Sequence, residues 1–332
     1  MSASAARTID DRYRIDALLG EGAVGAVYRV VETSTGRVLA LKQWDASVLN
    51  PEVRARFLRE TGALDSFDHP NIVKVFGHGM TGNVPYMVLE YLEGQTLESL
   101  IRERGALDVA LAIDIARQAL SAITYAHRQN VVHRDLKPEN IFLATRAGGG
   151  FQVKILDYGL AKFMASTGDP TKDKTLTASG TVVGTPLYMP PEQATGVSVD
   201  LPVDVYAMGC VLFEMLTGHL PFDGESRLEL LTAHMRDPVP RLEQFRGGIP
   251  EAPALQALID RALAKKQTER YPHAGAMLAD LERIGAQPPV AARPPRAARP
   301  SRPREASSAR VMLAIGAVVL ATVAILVGLL RF

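Results

Sequence analysis

The chain has 332 residues, with 37 Lys plus Arg against 36 Asp plus Glu and a formal net charge of +1. Charge this balanced excludes a general electrostatic argument for a nucleic-acid partner. Hydrophobic residues make up 47%, enough to bury a core, and the single cysteine, Cys210, excludes an intrachain disulfide and suits a reducing compartment.

Residues 1–12 read as a loose, flexible tail, and their sequence lacks the apolar stretch of a signal peptide. From Tyr13 to about Gly94 strands are predicted, in β-prone runs at 26–31, 38–43, 72–77 and 86–91. Residues 51–67 interrupt them with the helical spacing of Val53, Phe57 and Leu64. Helical patterns dominate from Leu97 to Ile284, for example at 107–129 and 203–217. The expected class is α+β, with a β-rich small lobe (13–92) before an α-rich large lobe (93–286). Cys210 lies in an apolar run, 206–213, and reads as a buried small hydrophobe.

Residues 287–310 are Pro, Ala, Arg and Ser with almost no large apolar side chain, the composition of a semi-extended linker. Arg293, Arg296, Arg299, Arg302, Arg304 and Arg310 face one acid there, Glu305. Residues 311–330 carry no charge. A helix of that length, at about 1.5 Å per residue, covers the roughly 30 Å of a bilayer core. One C-terminal transmembrane helix is therefore predicted. The preceding arginines would stay cytoplasmic and attract anionic headgroups. The expected location is the cell membrane, single-pass, with residues 13–286 cytoplasmic. Ala314, Ala317, Ala321, Ala324 and Gly328 form a small-residue stripe that would let two spans pack closely as a homodimer.

Residues 20–27 read Gly-Glu-Gly-Ala-Val-Gly-Ala-Val, or G-x-G-x-x-G-x-V. Gly20, Gly22 and Gly25 would let backbone N–H groups approach phosphate oxygens. A dinucleotide-binding fold uses a similar string but needs a helix next. Here the next run is strand-like, which favours a hairpin lid over ATP. Lys42, on the following strand, is a point cation able to hold phosphates. Glu60, on the interrupting helix, is its natural partner.

Residues 133–140 read His-Arg-Asp-Leu-Lys-Pro-Glu-Asn. This string resembles the catalytic loop of eukaryotic-type protein kinases, and Lys137 resembles the Ser/Thr-specific branch. With the C-terminal span, the layout resembles the bacterial transmembrane branch of these kinases. The resemblance covers about Tyr13 to Ile284 and implies the bilobal protein kinase fold. It implies Asp135 as the group that accepts the substrate hydroxyl proton, and Lys137 as the cation at the γ-phosphoryl group. Lys42 with Glu60 completes that catalytic set. Asn140 and Asp157 would ligate Mg²⁺, or Mn²⁺ in its place. Leu89 would be the gatekeeper, and the backbones of Glu90 and Leu92 would bond the adenine edge. Val27, Ala40 and Phe142 would sandwich the ring.

Residues 157–159 read Asp-Tyr-Gly where the family usually has Phe in the middle. Leu64, Val75, His133 and Tyr158 would stack as the regulatory spine. Residues 157–192 resemble an activation segment, ending in Pro190-Pro191-Glu192 instead of Ala-Pro-Glu. Glu192 should pair with Arg270, and Asp204 should brace the catalytic loop. Thr185 should contact Asp135 and Lys137. Among Thr175, Thr177, Ser179 and Thr181 an autophosphorylation site is expected, its phosphate paired with Arg134. The implied partners are ATP, protein substrates with Ser or Thr acceptors and the lipid bilayer, with no nucleic acid. The rivals are a catalytically weak pseudokinase scaffold at the membrane and a small-molecule phosphotransferase. The first normally lacks one of Lys42, Asp135, Asn140 or Asp157, and the second lacks the segment from Thr185 to Glu192.

Overall fold

In the computed structural model, residues 8–22, 25–45, 66–158, 186–195, 200–249 and 251–286 are described. All of them lie in the unit that spans Met1–Pro289. Glu60, Leu64, Thr175, Thr177, Ser179, Thr181 and Thr185 fall outside the described residues, as do residues 287–310 and 311–330.

Strands alternate their side chains between two faces, and directly opposed residues share a face. That rule organises the small lobe. β1 (Thr8–Ile9), β2 (Tyr13–Gly22), β3 (Gly25–Glu32), β4 (Val38–Trp44), β5 (Val75–Thr81) and β6 (Val84–Glu90) form an antiparallel sheet in the order β1-β2-β3-β4-β6-β5. On one face Ile9, Tyr13, Val30, Leu39, Leu41, Tyr86 and Val88 pack into a small core of their own. The register pairs Val27 with Lys42, Lys42 with Met87, and Ala40 with Leu89, so these residues share the other face. Trp44 and Met87, also on that face, join the main core.

Two small-lobe expectations change. Residues 8–12 are not a loose tail: β1 turns at Asp10 and Asp11, with φ of 54° and 50°, to pair with β2. Ile9 is buried, Tyr86 Oη donates to Asp10 at 2.6 Å, and Arg12 bonds Glu32 at 2.7 Å. The strand expected at 72–77 begins only at Val75. Its first residues are recruited elsewhere: Ile72 makes a lone parallel bridge to Ile155, whose carbonyl accepts the Val73 N–H at 3.0 Å. Of the helix expected at 51–67, residues 51–65 lie outside the described set, and Phe67 is a buried non-helical residue.

A second sheet of β7 (Gly94–Thr96), β8 (Ile141–Thr145) and β9 (Phe151–Ile155) lies among the helices in sequence. α1 (Leu97–Arg104) starts where the Thr96 hydroxyl accepts from Ser99 N. α2 (Val109–His127) starts where Asp108 accepts from Ala110 N and Leu111 N. Both caps satisfy backbone donors that the first helical turn leaves unpaired. Among the described residues α2 alone is long and apolar enough to cross a membrane. Its Ala112, Ile115, Ala119 and Ile123 are instead buried in the main core.

α3 (Pro191–Thr195) precedes α4 (Pro202–Thr217), and both begin with Pro at the position where a missing N–H costs nothing. α4 buries Cys210 completely, as expected. It ends at Gly218, whose φ of 75° and contact with Ala106 N leave no room for a Cβ. α5 (Arg227–Arg236), α6 (Leu242–Phe245), α7 (Ala252–Ala262) and α8 (Ala274–Ala286) complete the described helices.

Candidate active site

The loop from His133 to Asn140 is held from below. Asp204, in the first turn of α4, accepts the His133 N–H at 2.8 Å, the Arg134 N–H at 2.9 Å and His127 Nε2–H at 2.9 Å. Burial opposes its ionised form, but His127 and the charge and amide of His133 hold its carboxyl below the ordinary value. Two consecutive amides on one carboxylate force a sharp bend, and Arg134 has φ of 68°. Gln193 Nε2 donates to the Arg134 carbonyl at 3.0 Å, tying the bend to α3.

Above that bend Asp135 Oδ2 lies 3.2 Å from Lys137 Nζ. Asn140 Nδ2 donates to the Asp135 carbonyl at 2.7 Å and to Oδ2 at 3.3 Å. Asp135, Lys137 and Asn140 are thus gathered. The donor side of the Asn140 amide is occupied within the loop, which turns its oxygen away from Asp135. Leu156 N donates to the Asn140 carbonyl at 2.9 Å, joining the loop to the end of β9.

One residue beyond Leu156, Asp157 takes a left-handed φ of 57° and accepts from Lys42 Nζ at 2.6 Å. A carboxylate from Asp157 and a carbonyl oxygen from Asn140 are hard ligands that fit Mg²⁺, which usually retains waters and takes its other ligands from phosphate. Among the described residues no three His, Cys, Asp or Glu gather into a metal-binding group.

Val27, Ala40 and Leu89 share the sheet face that carries Lys42, while Glu90 is opposed to Leu39 and Phe142 belongs to the second sheet. Gly20 pairs with Val27 across the β2–β3 hairpin. A Cβ at Gly20 or Gly22 would enter open space, whereas one at Gly25 would lie 2.1 Å from the Gln43 carbonyl oxygen. The first two glycines are free to face a ligand, but the third is required by β4. Ala40 and Leu89 are opposed partners, Glu90 ends β6, and Leu92 follows it in the connection to β7. Phe142 lies on β8 opposite Thr96 and Lys154.

The protein kinase domain family matches residues 13–279. The chain belongs to that family. Serine/threonine-protein kinase pkn3 of Myxococcus xanthus is 38% identical over 281 residues, 84% of this chain and 51% of that protein. Serine/threonine-protein kinase PknB of Mycobacterium tuberculosis is 36% identical over 291 residues, 85% of this chain and 44% of its own length. PrkC of Bacillus subtilis is 36% identical over 278 residues, covering 83% and 41%. The chain therefore spans about half, or less, of these relatives. The kinase domain of M. tuberculosis PknI superposes with a TM-score of 0.65 at 24% identity, over 86% of this chain and 100% of that one, a likeness of fold. Rad53 1–466 in complex with AMP-PNP superposes at 0.65 and 30% identity, over 80% and 64%. The fold is the bilobal protein kinase fold.

Within this kinase domain Glu192 and Arg270 pair as expected. Two guanidinium nitrogens meet the two carboxylate oxygens at 2.6 and 2.8 Å, and both side chains are buried. Tyr158 packs edge-on against His133 at 4.8 Å and Phe67 at 5.8 Å. With Val75, Met87 and Leu89 it walls a small apolar cavity. Its buried hydroxyl has no hydrogen-bond partner among the described residues. Burial, and then the charge of Asp204, push it well above the ordinary tyrosine range.

Sequence reasoning passed over Lys154. Its ammonium donates to Glu90 Oε1 at 2.6 Å, at the end of β6. The available signal was alternation in β9: Val153 and Ile155 are fully buried, so Lys154 had to face the other way, toward Phe142.

Proposed function

We propose that this kinase domain transfers the γ-phosphoryl group of ATP to Ser or Thr hydroxyls of proteins. The observation that supports it best is the gathering of Asp135, Lys137 and Asn140 on a loop that Asp204 holds by two consecutive amides. The names of the pkn3, PknB and PrkC relatives point the same way, as does the ATP analogue bound by Rad53.

In this reading Asp135 accepts the proton of the acceptor hydroxyl as that oxygen bonds to the γ-phosphorus and the bond to the β,γ-bridging oxygen breaks. Lys137, close to Asp135, places positive charge beside the transferred group. Lys42 leaves or shares its contact with Asp157 to hold the phosphates. Asp157 and Asn140 would hold Mg²⁺, which when bound neutralises charge on the phosphates. Val27, Ala40 and Phe142 contact the adenine ring, Leu89 limits its depth, and the backbones of Glu90 and Leu92 bond its edge. Gly20, Gly22 and Gly25 shape the lid.

Glu60 as partner of Lys42, autophosphorylation between Thr175 and Thr181, and Arg134 as the phosphate's partner belong to the same proposal. So does anchoring through residues 311–330, supported by their lack of charge and the arginines before them. The pseudokinase alternative is not favoured, because Lys42, Asp135, Asn140 and Asp157 are all present.

The test is transfer of labelled phosphate from ATP to the chain itself and to a basic protein. Asp135→Asn should abolish both, and undiminished transfer in that variant would refute the roles. Phosphopeptide mapping checks the segment, and carbonate extraction of membranes checks the anchor.

A further inference from the structure

Glu90 is held on three sides. Its carboxylate Oε1 accepts from Lys154 Nζ at 2.6 Å and from Lys74 N at 2.8 Å, while its own N–H donates to the Lys74 carbonyl at 2.9 Å. The Lys154–Glu90 ion pair is partly buried, at 12% and 23% exposed. A second donor on the same carboxylate oxygen makes it more directional than a lone ion pair.

Lys154 stands on an unusually fixed strand. Gln118 Oε1 accepts the Val153 N–H at 3.0 Å, and Asn71 Nδ2 donates to the Val153 carbonyl at 2.9 Å. Ile155 N donates to the Asn71 carbonyl at 2.8 Å, and the Ile155 carbonyl accepts from Val73 N at 3.0 Å. Leu156 N donates to Asn140, and the Leu156 carbonyl accepts from His133 Nε2 at 2.8 Å. The backbone on both sides of Lys154 is therefore pinned by side chains and loops of both lobes. Opposite Lys154 on β8 is Phe142.

We propose that Lys154 is a positioning residue: through the Glu90 carboxylate it fixes the backbone that reads the adenine edge, and so sets the preference for ATP over GTP. The proposal rests on the kinase reading above. ATP and GTP share their phosphates and ribose and differ only at the base edge. A brace that aims the hinge backbone acts on ATP selectively, whereas a brace that merely holds the fold acts on both.

The experiment is steady-state kinetics of the full chain with a basic protein acceptor, using Mg·ATP and Mg·GTP. Lys154→Met should raise KM for ATP about tenfold with kcat within about two-fold, leave KM for GTP within about two-fold, and so lower ATP-over-GTP discrimination about tenfold. Lys154→Arg, which keeps a cation in reach, should return discrimination toward wild type. Glu90→Gln keeps an acceptor for Lys74 N and guards against a misfolded Lys154→Met; it should shift discrimination in the same direction by a smaller factor. Equal changes for both nucleotides that follow the thermal midpoint, or unchanged discrimination in both variants, would overturn the proposal while the kinase reading stands. A wild-type chain that transfers phosphate from neither nucleotide overturns the kinase reading, and this proposal with it.

Discussion

Lys42 Nζ donates to Asp157 Oδ2 at 2.6 Å, tying β4 of the small lobe to the residue that leaves β9. The two side chains are 16% and 29% exposed, wet enough that the pair adds only about 0–1 kcal/mol to stability. Lys42→Met should therefore leave the urea midpoint almost unchanged. Phosphate transfer should fall by at least about 100-fold, because a cation aimed at developing charge is lost. Retention of most of the activity would contradict the role given to Lys42.

The Tyr158 hydroxyl is the reverse case, a buried polar atom with nothing to bond among the described residues. Leaving such a group unpaired costs about 1–3 kcal/mol. Tyr158→Phe keeps the ring that packs on His133 and Phe67 and should gain stability of about 1 kcal/mol. Equilibrium urea unfolding reads this directly. Loss of stability would mean that the hydroxyl has a partner.

Arg270 and Glu192 stand in the dry interior, with Ala264 and Lys265 carbonyls accepting further guanidinium N–H groups. Arg270→Met strands a buried carboxylate and should cost about 3–5 kcal/mol. Adding Glu192→Leu removes the stranded charge, so the double variant should be more stable than Arg270→Met alone. A double variant that is less stable still would show that the two residues do not act as a pair.

His234 gives a pH dependence. It is fully buried, its Nδ1 faces Tyr206 Oη at 2.9 Å, and burial followed by the Lys265 ammonium pushes it from 6.5 down to about 4. Between those values the unfolded chain binds a proton that the folded chain refuses. Its contribution is complete above pH 6.5 and is lost as pH falls toward 4, up to about 3 kcal/mol. His234→Gln should remove that part of the slope from stability measured between pH 7 and about 4.5. Parallel curves for wild type and variant would refute it.

What the sequence made legible was what repeats or clusters locally. The β-prone runs at 26–31 and 38–43 located the strands that carry Val27, Ala40 and Lys42. The helical patterns at 107–129 and 203–217 placed two core helices to within two residues. Resemblance supplied two distant pairings, Glu192 with Arg270 and Asp204 with the catalytic loop, that no local pattern contains. The misses were tertiary. The start of β5 moved because Ile72 and Val73 pair with Ile155, a residue more than 80 positions away. Lys154 escaped notice because strand register, rather than sequence spacing, brings it to Glu90, 64 residues back.

The family match opens at Tyr13, yet among the described residues the sheet already includes Thr8. A shortened chain cut at the family boundary would lose Ile9 from the outer core of the small lobe and Asp10 from the hydroxyl of Tyr86. Tyr86 lies on β6 beside Met87, the register partner of Lys42. Five residues outside the recognised domain therefore govern how faithfully any excised version reports on the nucleotide site, and a trimmed domain beginning at Thr8 is the one to compare with the full chain.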